Sequence, residues 1–108
     1  MAKKLDIKKS VGDGGDNQPE DVAIVQYLLN LTSERQKVPK KAVPEDGKAG
    51  PETIAGIKEY QAKFCKTEVG GKIDPGQETM ASFSKTTPVF ALNDGTYLAQ
   101  DRHGKRIA

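Results

Sequence analysis

The chain has no tryptophan, one cysteine, one histidine and only six Phe or Tyr in 108 residues, and it contains no long apolar run. Each shortage excludes something. A lone cysteine, Cys65, cannot form an internal disulfide, so the fold does not depend on an oxidising compartment. A lone histidine, His103, close to the C-terminus, cannot build a usual zinc cluster, and with Cys65 far from it in sequence it does not suggest a nucleophile and base. The basic start Met1 to Lys9 leads into Ser10-Val11-Gly12-Asp13-Gly14-Gly15 rather than an apolar segment. Neither a signal peptide nor a membrane span is therefore expected, and the chain is expected to be made and at first kept in the cytoplasm. Apolar residues make up 35% of the sequence, which suits one domain with a modest core and leaves little room for bulky catalytic machinery.

The net charge of +2 hides an uneven distribution. Residues 1–9 and 101–108 hold seven Lys or Arg against two Asp, whereas residues 10–100 hold ten against thirteen Asp or Glu. Basic ends on a mildly acidic body read as solubilising tails, because binding phosphates needs basic side chains gathered on a folded face. Nucleic acid is not an expected partner. The loop Gly12 to Gln18 carries Asp13 and Asp16 but lacks the ligand spacing and terminal Glu of a calcium loop.

What is present is best defined between Glu45 and Phe64. Asp46-Gly47 supplies a tight turn, and Gly50-Pro51 places a permissive residue before a ring preset for the first helical position. The helix is expected from Pro51, with Ile54, Ile57, Gln61 and Phe64 on its apolar side and Tyr60 beside them. The pattern partly recurs: Gly76 to Phe83 matches Gly50 to Ile57 at Gly, Glu, Thr and Ala, and Gly71-Lys72 echoes Gly47-Lys48. Two similar units of turn and helix follow. Glu52 and Glu78 sit at their helix starts, where they face the positive end of the helix dipole more simply than they form a catalytic pair.

Upstream, Asn17 or Gln18 is expected to cap a helix that has Pro19, Glu20 and Asp21 in its first turn. Val22, Val25, Leu28 and Leu29 form its main apolar side, widened by Ile24 and Leu31, which predicts the most buried element. Thr32 to Pro44 reads as a long surface connection with two prolines, in which Arg35, Lys37, Lys40 and Lys41 read as solvated. Downstream of the Gly70-Gly71 turn, a third helix opening at Asp74-Pro75 or Gly76 buries Met80 and Phe83 and ends at Thr86-Thr87-Pro88. Val89 to Leu92 and Tyr97 to Ala99 then flank Asn93-Asp94-Gly95-Thr96 as a hairpin with a two-residue turn at Asp94-Gly95, setting Leu92 opposite Tyr97 and Phe90 opposite Ala99.

These motifs carry a resemblance. The Asp46-Gly47 turn, the helix with Tyr60-Gln61, the second turn Gly71-Lys72-Ile73-Asp74-Pro75-Gly76, and an opening helix with Val25-Gln26 together look like the small helical peptidoglycan-binding domain attached to many bacterial wall enzymes. The likeness covers roughly Ser10 to Ser84. The chain departs from the family at Gly70-Gly71, where Asp-Gly is usual, and at Tyr60, where Phe is frequent. The expected architecture is mainly α: a three-helix domain of the peptidoglycan-binding type over residues 10–86, a basic tail or edge strand over 1–9, and a β-hairpin extension with a basic tail over 87–108.

The resemblance implies non-catalytic binding of peptidoglycan or its fragments, with no cofactor and no metal. Wall material offers hydroxyls, amides and carboxylates, which suit a shallow groove lined by turn N–H groups and a few polar side chains. Asp46, Gly47, Lys48 and Tyr60, with Lys72 from the second turn, are the candidate ligand residues; Gln26 and Gln61 read as structural, bonding loop backbone inside the core. Some relatives, as the resemblance implies, are delivered by a contractile secretion apparatus or joined to wall-attacking toxins, so an adaptor or cargo role and a non-classical route to the periplasm or wall are expected. The alternative is a protein interaction module that keeps the fold without wall binding.

Overall fold

The computed structural model describes residues 7–86 together with the short segments 89–91 and 97–99. The described residues are mainly helical, with three helices and two small two-stranded antiparallel sheets. Helix α1 (Pro19–Gln36) starts where the Pro19 signal places it, with Gln18 as N-cap and Glu20 and Asp21 in the first turn. Asn17 does not cap it. With φ at 55°, Asn17 instead turns its side chain back to the preceding loop, accepting from the Gly12 N–H (2.7 Å) and donating to the Gly12 and Gly15 carbonyls.

Helix α1 also runs five residues past Leu31, into the stretch expected to be a surface connection. Leu31 and Thr32 are buried, and the Thr32 hydroxyl donates to the Leu29 carbonyl at 2.9 Å, so the core holds that turn helical despite its polar sequence. The helix stops when Lys37 adopts a left-handed conformation and its N–H bonds the Ser33 carbonyl; Val38 then precedes Pro39, a position that disfavours helix. Apolar and polar residues around most of α1 are buried, including Val22, Val25, Tyr27, Leu28, Leu29, Asp21 and Gln26. A helix covered on several sides is the axis of a small domain.

Three polar side chains of α1 tie neighbouring chain to that axis. Asp21, nearly fully buried, accepts from the Lys8 and Lys9 N–H groups at 3.0 and 3.1 Å. Ile7 is buried beside them, so the described end of the basic segment, residues 7–9, packs on α1 and is neither a free tail nor a strand. Gln26 binds the first glycine turn. Asn30 exchanges two bonds with the Val43 backbone, 2.7 and 2.9 Å, as one strand would with another, and so fixes the loop that leads to α2.

Helix α2 (Pro51–Phe64) begins at the residue the Gly50-Pro51 pair indicates. Its buried side is Thr53, Gly56, Ile57, Tyr60 and Gln61. That is rotated from the expected apolar side, for Ile54 and Phe64 are only partly buried. The rotation has a steric cause. A Cβ on Gly56 would come within 2.9 Å of Val43 Cγ1 and 3.5 Å of the Pro39 ring, so the bare face at Gly56 lets the incoming loop lie against the helix.

Strands β1 (Val11–Gly12) and β2 (Lys72–Ile73) pair antiparallel, Val11 opposite Ile73 and Gly12 opposite Lys72. The Gly12 region, expected to be a flexible loop, thus contributes half of the sheet. Helix α3 (Glu78–Thr86) follows and buries Met80 and Phe83. Tyr60 lies between Phe83, stacked with ring centroids 4.3 Å apart, and Phe64 at 4.8 Å. Contacts of this kind add about 1 kcal/mol each to the area the rings bury.

Strands β3 (Val89–Ala91) and β4 (Tyr97–Ala99) pair antiparallel with Phe90 opposite Leu98 and Ala91 opposite Tyr97. This register is one position away from the expected pairing of Phe90 with Ala99. An odd number of residues then separates Ala91 from Tyr97, which a two-residue turn does not accommodate. The expected turn at Asp94-Gly95, and Leu92, lie outside the described residues.

Candidate functional site

Each glycine turn is organised by one buried glutamine. At the first corner the Gln26 side chain accepts from the Gly47 N–H at 2.9 Å and donates to the Lys48 carbonyl (2.9 Å), the Thr53 hydroxyl (3.0 Å) and Asp46 Oδ1 (3.0 Å). At the second corner Gln61 accepts from the Gly71 N–H at 2.8 Å and donates to the Lys72 carbonyl (2.9 Å) and the Thr79 hydroxyl (3.1 Å). Both glutamines are completely buried. The Gly-Lys and Thr of the sequence repeat are therefore the partners of one repeated device. Each glutamine satisfies backbone and hydroxyl groups that burial would otherwise leave without water. Gly47 and Gly71 have φ of 73° and 88°, the conformation each turn requires.

Both corners lie along α2. Thr53 and Gln61, their contact points on that helix, are eight residues apart, roughly 12 Å along the axis. Asp46 and Lys48 are exposed on the first corner. The Asp46 carboxylate accepts from the Lys48 N–H at 2.9 Å, and that bond, with the one from Gln26, holds its pKa below the usual carboxylate value. Lys72 on the second corner is half-buried and meets Asp74 at 3.7 Å; an exposed pair of this kind stabilises little. Tyr60 is the candidate that does not reach the surface: its ring is fully buried and its hydroxyl lies 2.7 Å from Ser82 Oγ.

Between the corners lies a depression of about 410 Å³, lined by Asp13, Ala49, Pro51, Ile54, Ala55 and Lys58. Pro51, Ile54, Ala55 and Lys58 share one face of α2 by their spacing of three and four. Ala49 comes from the first corner. Asp13 is brought in because its N–H donates to the Gly71 carbonyl of the second corner at 2.9 Å. Neither Asp13 nor Lys58 stands out in the sequence. The only hint is that Ile54 and Lys58 fall on one helical face, and nothing local connects Asp13 to a glycine nearly sixty positions away.

A second depression, about 350 Å³, lies where the loop Pro39 to Val43 crosses α2, with Lys40, Lys41, Glu52 and Glu59 around it. Lys40 and Lys41 are exposed, and the Lys40 N–H donates to Glu59 at 2.7 Å.

Two further carboxylates fasten backbone. Glu78 accepts from the N–H groups of Thr67, Glu68 and Lys66 and from the Thr67 hydroxyl, and these donors lower its pKa to about 2. Glu68 in turn accepts from the Asp74 and Thr79 N–H groups, 3.0 Å each, fastening the entry of α3. Cys65 is buried against the Thr79 hydroxyl at 3.6 Å, and burial pushes its thiol pKa up, the reverse of what a nucleophile needs. Among the described residues no group of three His, Cys, Asp or Glu is placed to hold a metal ion, and no helix is long and apolar enough to cross a membrane. No family model matches the chain, and neither a curated protein nor a solved structure is found to be similar to it.

Proposed function

We propose that this chain binds bacterial cell-wall peptidoglycan without cleaving it, as a three-helix domain similar to the peptidoglycan-binding type that carries a C-terminal hairpin. The reading begins from the sequence resemblance. It is supported by one observation above others: the two glycine corners that carry the resemblance both lie along α2, each held by an equivalent buried glutamine. A turn held in this way offers polar groups without having to order them on binding, which lowers the entropic cost of recognising a flexible polymer. Asp46, Lys48 and Lys72 are the proposed contacts through their side chains; Gly47 shapes the turn, its N–H being given to Gln26 and not to a ligand, and Tyr60 supports the surface from inside the core. Modest affinity is expected of so shallow a site. Delivery to the wall by a secretion apparatus, as adaptor or cargo, is part of the same proposal.

Sedimentation with purified insoluble peptidoglycan tests it. Wild type is expected in the pellet, with Lys48→Glu and Lys72→Glu each shifting protein to the supernatant while remaining folded by circular dichroism. Wild type left in the supernatant would end the wall-binding reading. Recovery of a single protein and no wall material in a pull-down would replace it with an interaction module.

A further inference from the structure

We propose that the depression between the corners receives a short peptide bearing both a free carboxylate and a free ammonium, so that the feature recognised in the wall is its stem peptide and not its sugar backbone. The inference rests on the wall-binding reading and gives it a chemical address.

The lining decides between sugar and peptide. Four of the six lining residues, Ala49, Pro51, Ile54 and Ala55, bring no polar side chain and no aromatic ring. Sugar hydroxyls laid against these four would lose water and find no side-chain partner, which is unfavourable. Small apolar side chains of a peptide would fit there without that penalty. The other two are one acid, Asp13, and one base, Lys58, and among the described residues no ion pair joins them. Opposite charges flanking an apolar strip complement a zwitterionic peptide, the ligand ammonium meeting Asp13 and the ligand carboxylate meeting Lys58.

Backbone contacts fix where both charged residues leave the fold. The Lys58 stem lies over bare Gly71, where a Cβ would come within 2.8 Å of Lys58 Cε and 2.9 Å of Cγ. Asp13 is fixed through its N–H bond to the Gly71 carbonyl, and its neighbour Gly12 through Asn17. Gly71, itself held by Gln61, therefore positions both charged residues.

The test divides peptidoglycan by amidase digestion into stripped glycan strands and released peptide. The released peptide is expected to displace wild type from intact insoluble peptidoglycan, and stripped glycan is expected not to retain it. Asp13→Lys and Lys58→Glu should each weaken sedimentation with intact wall about two- to fivefold, the range for one solvent-accessible charge contact. Ile54→Asp should weaken it further while the helical circular dichroism signal stays unchanged. Equal retention on stripped glycan, with no displacement by peptide, would overturn the stem-peptide assignment and leave wall binding standing. Failure to sediment with intact peptidoglycan would remove both.

Discussion

The two glycine corners perform one task with different support. At the first, the turn closes on itself: Asp46 takes the Lys48 N–H, and Gln26 is the link to α1. At the second, Gly70 stands where that aspartate would be, and closure comes from elsewhere, through pairing with Val11–Gly12 and the Asp13 bond to Gly71. A side chain two residues away and a strand nearly sixty residues away substitute for one another. The second corner is thus the more dependent on the assembled fold, and at its exit into α3 two carboxylates, Glu68 and Glu78, accept backbone N–H bonds.

The largest expected effect removes the shared device. Gln26→Ala and Gln61→Ala should each cost about 3 kcal/mol, since a buried glycine N–H, a lysine carbonyl and a threonine hydroxyl lose their partner together. Denaturant unfolding measures the loss, and amide exchange at Gly47 and Gly71 reports which corner opens. A loss under about 1 kcal/mol for either variant would mean that the corners are not equivalent in the way their hydrogen bonds suggest.

Gly12→Ala comes next, at about 2 kcal/mol, because its Cβ would run into the Gly71 carbonyl and its φ of 116° suits no other residue. Exchange should quicken at Gly71 and Lys72 and stay unchanged at Gly47. Equal loosening of both corners would erase the distinction between self-closed and strand-closed turns.

The smallest effect is in acid. Glu78 has a pKa of about 2 in the folded chain against an ordinary 4.5, so its contribution to stability is complete above pH 4.5 and disappears as pH falls through about 2. Glu78→Gln should lower Tm at neutral pH by a few degrees and show a flatter decline between pH 4.5 and 2 than wild type. Parallel curves over that interval would show that the carboxylate is not what holds the residues entering α3.

Much of this comparison was readable beforehand. Pro19 and Pro51 mark helix starts because a fixed φ and an absent N–H suit the first turn, and Gln26 and Gln61 stand out as polar residues among core positions. The repeat of Gly-Lys and Glu-Thr marks both corners. Other features have no local signal. The turn from Thr32 to Gln36 is helical because Leu31 and Thr32 are buried. The outward rotation of Ile54 depends on Val43 reaching Gly56, and the β1–β2 pairing depends on residues sixty apart. The hairpin register departs by one position, so Phe90 pairs with Leu98 and not with Ala99.

Sequence by itself determined the starts of α1 and α2 and the residues able to serve two similar turns, since dihedral preference and apolar spacing act over a few neighbours, whereas α3 begins at Glu78 and not at the expected Asp74-Pro75 or Gly76. Tertiary structure alone decided that both turns lie along α2 and that Asp13 and Lys58 come to line one depression. Those placements arise from bonds whose two ends are distant in the chain and have no preference for one another until the core between them has formed.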